Sequence, residues 1–173
     1  MVQRRMKLGF NPRASGDNSL IRRLTLPCAL LFLFSVANPA TAQPKIEEFL
    51  GSCSPEDKLC SGSLADFKKW YPLAWRRDYQ GQRNVAFCFR NGCDGAVVKN
   101  ATLACAWRMV ILASSSMKIV DSDFGGFRVS CGVLDTAQRS VARGQANDLM
   151  RAIYRKPIPA DLEINMLALP TPR

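Results

Sequence analysis

Histidine is absent from this chain of 173 residues. Its absence excludes Ser-His-Asp and Cys-His catalysis, and it removes histidine as a metal ligand. The sequence also lacks the nucleophile-elbow motif G-x-S-x-G, the phosphate-binding motif G-x-x-x-x-G-K and the dinucleotide-binding motif G-x-G-x-x-G. Most common hydrolase mechanisms are therefore excluded, and the sequence predicts no cofactor and no enzyme activity.

The amino-terminal region is apolar but too short to span a membrane. Its apolar run, Leu24 to Val36, has 13 residues, which fits a signal-peptide core of roughly 7 to 15 residues, whereas a transmembrane helix needs about 20. Small residues follow at Ala40-Thr41-Ala42. This order predicts a signal peptide over residues 1–42, cleaved after Ala42, and an exported (periplasmic or secreted) protein without a stable membrane anchor. The residues before the run are mostly basic: Arg4, Arg5, Lys7, Arg13, Arg22 and Arg23, against Asp17.

Alternatives for this segment remain open. A buried amino-terminal helix would not explain why nearly all the flanking charge is positive. The pair Arg22-Arg23 resembles a twin-arginine signal only in part, because Thr25 stands where Phe is usual, so general secretion is favoured. The long basic region leaves Met6 as another candidate start. Cys28 lies at the start of the apolar run, not after the cleavage point, so lipidation is not supported.

The basic character of the chain belongs largely to this segment. Residues 1–42 hold six basic residues and one acidic residue, so without them the formal charge falls from +10 to +5. Nucleic-acid binders concentrate Lys and Arg in patches, and a charge of this size is ordinary for a soluble domain. No nucleic-acid partner is expected. The remaining 131 residues match a single domain of about 100 to 150 residues.

An even number of cysteines remains after residue 42. In an exported chain this pattern indicates disulfides, because an oxidising compartment lets them form and persist. Composition alone does not select one pairing among the many that are possible. The six cysteines are Cys53, Cys60, Cys88, Cys93, Cys105 and Cys131.

Local geometry ranks the pairings. If Gln82 to Asn91 is a helix closed by Gly92 in the left-handed conformation, Cys93 packs back against Cys88. The stretch Ser-Pro-Glu-Asp-Lys-Leu between the first two cysteines forms turns, which bring its flanks within the roughly 6 Å between α-carbons that a disulfide needs. The last two cysteines then link two helices. The favoured pairs are Cys53–Cys60, Cys88–Cys93 and Cys105–Cys131.

Metal binding is the competing interpretation. A zinc site is not favoured, because histidine and the Cys-x-x-Cys spacing are both absent. The segment Asp121-Ser122-Asp123 with Gly126 imitates the first half of a calcium loop. The fifth and twelfth positions of that loop are Gly125 and Gly132, so we interpret the segment as a loop before a helix.

The first predicted helix begins at Ser63, a good cap, with Asp66 in its first turn. Pro72 is expected to break or kink it near Tyr71. Basic residues interleave with aromatic ones here, a pattern compatible with a base- or glycan-binding surface. A single apolar stripe favours instead an amphipathic helix packed on the core. The stripe consists of Phe67, Trp70, Tyr71, Ala74 and Trp75.

The next unit is a helical hairpin, with a helix over Gln82–Asn91, a glycine-rich turn, and a second helix capped by Asn100. It resembles the Sel-one-like repeat, a relative of the tetratricopeptide repeat, which reads roughly N-L-G-x-x-Y-x-x-G and then V-x-x-D-x-x-x-A-x-x-W. The resemblance covers about 30 residues and departs in the turn, which is longer than usual. It implies an adaptor that binds a protein or peptide. The matching positions are Asn84, Val85, Ala86, Phe89, Gly92, Val97, Asn100, Ala104 and Trp107.

The carboxy-terminal part predicts one more helix. Asp135 and Gln138 form a variant capping box at its start, and the helix is expected to end before Pro157. The Pro-containing tail, residues 156–173, is expected to be extended and partly mobile. The apolar stripe of the helix is Ala142, Ala146, Leu149 and Ile153.

These features predict an all-α fold, a short tetratricopeptide-like array of helical hairpins stapled by disulfides. A cysteine-containing segment is expected over residues 43–62 and the helical hairpin domain over residues 63–155. The predicted function is an exported, non-catalytic protein–protein interaction module of the Sel-one-like type. The alternative is a small periplasmic enzyme or glycan-active factor that uses carboxylates such as Glu56, Asp57, Asp94 or Asp123.

Overall fold

The computed structural model describes residues 43–162. These residues contain helices and no β-strand. The predicted all-α class is confirmed. The predicted signal peptide lies outside the described residues. A short 3-10 helix spans Ile46–Phe49, and the five α-helices are α1 Lys58–Trp75, α2 Tyr79–Asn91, α3 Ala101–Ala113, α4 Asp121–Cys131 and α5 Thr136–Tyr154.

Helix α1 begins five residues before the predicted start at Ser63, so that prediction was wrong. The Asp57 carboxylate accepts hydrogen bonds from the backbone N–H groups of Leu59 (3.1 Å) and Cys60 (3.0 Å), and it thereby caps the helix. Ser63 serves a different purpose, because its hydroxyl donates to Asp94 at 2.6 Å. The cysteine-containing segment and the first helix therefore overlap.

Pro72 does not end α1, which continues to Trp75. The expected break near Tyr71 was therefore wrong. Proline removes one backbone donor and leaves the carbonyl four residues earlier without its helical partner. That carbonyl belongs to Lys68, an exposed residue. Packing of the buried residues Tyr71 and Ala74 holds the last turn in place.

The hairpin of α2 and α3 forms with the predicted caps. Gly92 closes α2 at φ 85°, a left-handed conformation that glycine adopts without a Cβ clash. Asn100 caps α3, and its side chain accepts from the Leu103 N–H at 2.9 Å. Helix α2 begins three residues before the predicted Gln82, because Asp78 provides an earlier cap.

The predictions for the last two helices had different outcomes. Asp121–Asp123 was interpreted as a loop before a helix, but it forms the first turn of α4, so that prediction was wrong. The capping box of Asp135 and Gln138 is confirmed, with both reciprocal hydrogen bonds present. Helix α5 ends at Tyr154, before the proline as predicted.

Helix α3 lies at the centre of the domain. All ten residues from 104 to 113 are buried, and α3 packs against α2, α4 and α5, while α1 packs against α2. In a solenoid each unit contacts only its neighbours along the chain. The contact between α3 and α5 joins neighbouring helix pairs, so it does not distinguish such an array from another helical bundle, and the tetratricopeptide-like arrangement is not confirmed. Within residues 43–162, none of the helices combines the length and apolar character needed to cross a membrane.

The six cysteines form three pairs at disulfide distance. Their α-carbons lie 5.5 Å apart in Cys53–Cys60, 4.9 Å in Cys88–Cys93 and 4.9 Å in Cys105–Cys131. These are the pairs that the sequence favours. The first two close short loops next to helix ends, and the third joins α3 to α4 inside the core, where both of its cysteines are fully buried.

The segment before α1 packs on the helices through aromatic rings. Phe49 contacts Phe89 edge-on at 5.1 Å between ring centroids and Tyr71 at 5.7 Å. The Tyr71 hydroxyl donates to the Pro44 carbonyl at 3.2 Å. Burial of the ring raises the pKa of Tyr71 to about 12. This segment is therefore part of the domain.

The beginning of the predicted tail also belongs to the core. Ile158 and Leu162 are buried. The Ile158 N–H donates to the Asn147 side chain at 3.0 Å, and the Arg143 guanidinium donates to the Pro159 carbonyl at 3.1 Å. Residues 156–162 thus pack along α5, and the helical domain extends beyond the predicted boundary at residue 155.

Candidate functional site

A groove opens where the amino-terminal segment, the end of α1, the start of α3 and α5 meet. Its volume is about 310 Å³, at the lower end of the usual range of about 300 to 1,000 Å³ for ligand-binding pockets. Most of its lining is apolar. The residues that line it are Pro44, Phe49, Trp75, Asn100, Leu103, Gln145, Asp148, Leu149 and Ala152.

The groove follows from helical spacing and from aromatic packing. Gln145, Leu149 and Ala152 recur every three or four residues and so share one face of α5. The Trp75 ring contacts the buried Trp107 ring edge-on at 6.0 Å between centroids. This contact fixes one wall of the groove, while the small side chain of Ala152 leaves room opposite it.

Two polar atoms of the groove are buried without a hydrogen-bond partner among the described residues: the Trp75 Nε1 donor and the Gln145 Oε1 acceptor. Buried polar atoms are normally paired, because an unsatisfied group costs about 1 to 3 kcal/mol. The Trp75 N–H is close enough to the Tyr71 hydroxyl to lower that group's pKa, against the larger effect of burial, but the two do not meet in hydrogen-bond geometry. Both atoms have almost no accessible surface, so neither is open to a ligand in the groove as it stands.

A different set of polar groups forms the Arg108 cluster, which consists of Tyr79, Arg83, Arg108 and Asp123. The Asp123 side chain is fully buried and accepts from the Tyr79 hydroxyl and from the Val120 N–H. Arg83 Nε lies 3.0 Å from Asp123 Oδ1 as an ion pair. Burial, followed by the interaction with Asp123, raises the pKa of Tyr79. Side-chain bonds of the cluster link α2 to α4, and Arg108 of α3 lies beside this link.

Most residues of the predicted repeat motif fill the interior of the hairpin. Asn84 and Asn100 are partly exposed, and of these Asn100 lies on the groove. The other motif residues fill the space between α2 and α3 or the turn that joins them. The buried motif residues are Val85, Ala86, Phe89, Gly92, Val97, Ala104 and Trp107.

The four carboxylates of the enzyme alternative lie at separate places. Glu56 accepts from the Ser54 hydroxyl, a bond that lowers the pKa of its carboxyl. Asp57 caps α1, Asp94 accepts from Ser63, and Asp123 belongs to the Arg108 cluster. Across residues 43–162 no group of three or more His, Cys, Asp or Glu side chains is arranged to hold a metal ion.

Comparisons with models of protein families, with curated proteins and with solved structures found no match for this chain.

Proposed function

We propose that this chain is an exported, non-catalytic binding module, and that its groove binds an extended segment of a partner protein. The observation that carries the proposal is the groove itself, a concave surface whose lining is mostly apolar. An apolar side chain of an extended peptide would fill the groove between Phe49 and Leu103.

Export is supported by two independent features. The amino-terminal residues have the order of a secretory signal, with basic residues, an apolar run of 13 residues and small residues before Gln43. The three cysteine pairs at disulfide distance suit an oxidising compartment, where such bonds persist. The resemblance of the α2–α3 hairpin to the Sel-one-like repeat, whose members are typically adaptors, further supports a binding role.

A peptide-display selection on the oxidised protein, followed by affinity measurements on the selected peptides, tests the proposed function. We expect peptides that share an apolar residue. The Ala152→Arg substitution should abolish their binding, because a long charged side chain fills the groove. Ala137 lies exposed in the first turn of the same helix, so Ala137→Arg is a matched control and should leave the affinity unchanged.

The Gln145→Leu substitution tests how much the Gln145 amide contributes to peptide affinity, apart from the shape of the groove. The substitution removes the amide with little change in volume. A bound peptide would have to draw the Gln145 amide out of its buried position to bond it, and the loss of that hydrogen bond, worth about 0.5 to 1.5 kcal/mol, should then weaken the selected peptides by about two- to tenfold. Selected peptides that bind Ala152→Arg as tightly as the unchanged protein would rule out the groove as their site.

A further inference from the structure

Arg108 is the one charged residue in α3, and it lies in the interior. The residue is only 9% exposed. Its guanidinium lies against the backbone of α4 at Gly126, where an added Cβ would be 2.9 Å from Cζ and 3.0 Å from Nη1. Glycine leaves space for this close approach, and a larger residue would have to displace the guanidinium. The absence of a side chain at residue 126 therefore lets the Arg108 charge lie here.

The charge of Arg108 is not matched by a direct partner. Its Nε has no hydrogen-bond acceptor, and it forms no ion pair within 4 Å, among the residues that the structure describes. Asp123 is the nearby carboxylate: its Oδ2 accepts from Tyr79 and from the Val120 N–H, and its Oδ1 forms the ion pair with Arg83 but has no hydrogen-bond donor among the described residues. A buried charge without a partner is costly, and proteins usually pair such charges.

Further positive charge lies next to this group. Arg83 and Arg90 are seven residues apart and so lie on one side of α2, and both interact repulsively with Arg108. The Arg83 guanidinium is oriented by its hydrogen bond to the Ser122 hydroxyl at 3.1 Å. Burial, with these two cations, lowers the pKa of Arg108, while Asp123 opposes the change. Arg83 and Arg90 thus add positive charge beside Arg108, and Asp123 is the carboxylate that opposes it.

We infer that Arg83, Arg90 and Arg108 form a binding site for a compact oxyanion, a carboxylate or phosphate group carried by a ligand, at the junction of α2, α3 and α4. Such a group offers oxygen acceptors that match the planar guanidinium, and it would pair the buried charge. The site is separate from the groove, whose lining residues do not include these arginines. It therefore stands or fails independently of the proposed function.

Side-chain NMR of the ¹⁵N-labelled, oxidised protein tests the site, because it reports on the Arg108 Nε–H itself. Sodium phosphate and sodium acetate are titrated separately at constant ionic strength, with sodium chloride as the exchanged salt. We expect the Arg108 Nε–H resonance to shift and saturate with at least one of the two anions. The anion that saturates at lower concentration identifies the favoured group, phosphate or carboxylate.

Variants then locate the binding. Arg90→Gln should weaken it about threefold, as for the loss of one partly exposed charge. Gly126→Ala displaces the guanidinium and should weaken binding about tenfold, with the fold checked by circular dichroism. Arg76→Gln, an exposed position at the end of α1, is the control and should leave binding unchanged.

Two results would overturn the inference. One is the absence of saturation for both anions, or a response that chloride reproduces equally. The other is an equal loss of binding in Arg76→Gln and Arg90→Gln, which would indicate general attraction by positive charge.

Discussion

Replacing Asp123 with asparagine is expected to lower the free energy of unfolding by about 3 kcal/mol, because removal of one partner from a buried ion pair leaves an uncompensated charge. The Asp123 side chain is fully buried, next to the Arg83 guanidinium and in the electrostatic range of Arg108. Asparagine keeps an oxygen that can accept from the Val120 N–H and the Tyr79 hydroxyl. The loss therefore reports on the charge and not on the cap.

Asp121→Asn is the matched control for this experiment. Asp121 lies in the same first turn of α4 but is exposed, so its replacement should change stability by no more than about 0.5 kcal/mol. Urea denaturation of the oxidised proteins measures both values. Similar small losses at the two positions would mean that the Asp123 charge does not hold α4 in place.

The second large effect is expected on removal of the buried disulfide. Replacing Cys105 and Cys131 together with alanine opens a loop with a sequence separation of 26 residues. Loop entropy alone predicts a loss of about 3.5 kcal/mol in the free energy of unfolding. The fully buried positions add a packing loss. The double variant is therefore expected to lose more stability than a variant that opens a short disulfide loop.

The matched comparison is the double alanine variant of Cys88 and Cys93. That pair closes a separation of only 5 residues, for which the same loop-entropy relation gives about 2 kcal/mol. Urea denaturation under non-reducing conditions ranks the variants. A larger loss of unfolding free energy in the Cys88/Cys93 variant than in the Cys105/Cys131 variant would contradict the role assigned to the core disulfide.

Features encoded by a few neighbouring residues were predictable from the sequence. Gly92 with Cys88 and Cys93 forms a helix end whose geometry follows from local rules. The capping box at Asp135 is equally local. The start of α1 was missed because Asp57 and Ser63 are both acceptable caps, and tertiary packing of Cys60 decides between them.

The continuation of α1 through Pro72 was missed for a similar reason. The intrinsic penalty of proline is a local property, but the packing of Tyr71 and Ala74 against the core is not. The contact of α3 with α5 is also non-local. The repeat-like sequence pattern therefore predicted the α2–α3 hairpin correctly. It did not determine how the remaining helices pack around that hairpin.

The groove was not predictable because its walls come from segments far apart in the chain. Trp75 was assigned to a core stripe, and it does pack on Trp107. Only the packing of α5 brings Gln145 into the same groove as Trp75. The Arg108 cluster had a detectable signal, since α3 contains a single charged residue in an otherwise uncharged helix.

The central claim is that an exported domain, oxidised at three cysteine pairs, is the functional form of this chain. A non-reducing peptide map of the chain, produced with its amino-terminal segment in cells that export it, tests this claim most directly. The account predicts a mature protein that begins at Gln43 and contains peptides cross-linked as Cys53–Cys60, Cys88–Cys93 and Cys105–Cys131. A protein that retains residues 1–42, or free thiols at Cys105 and Cys131, would contradict it.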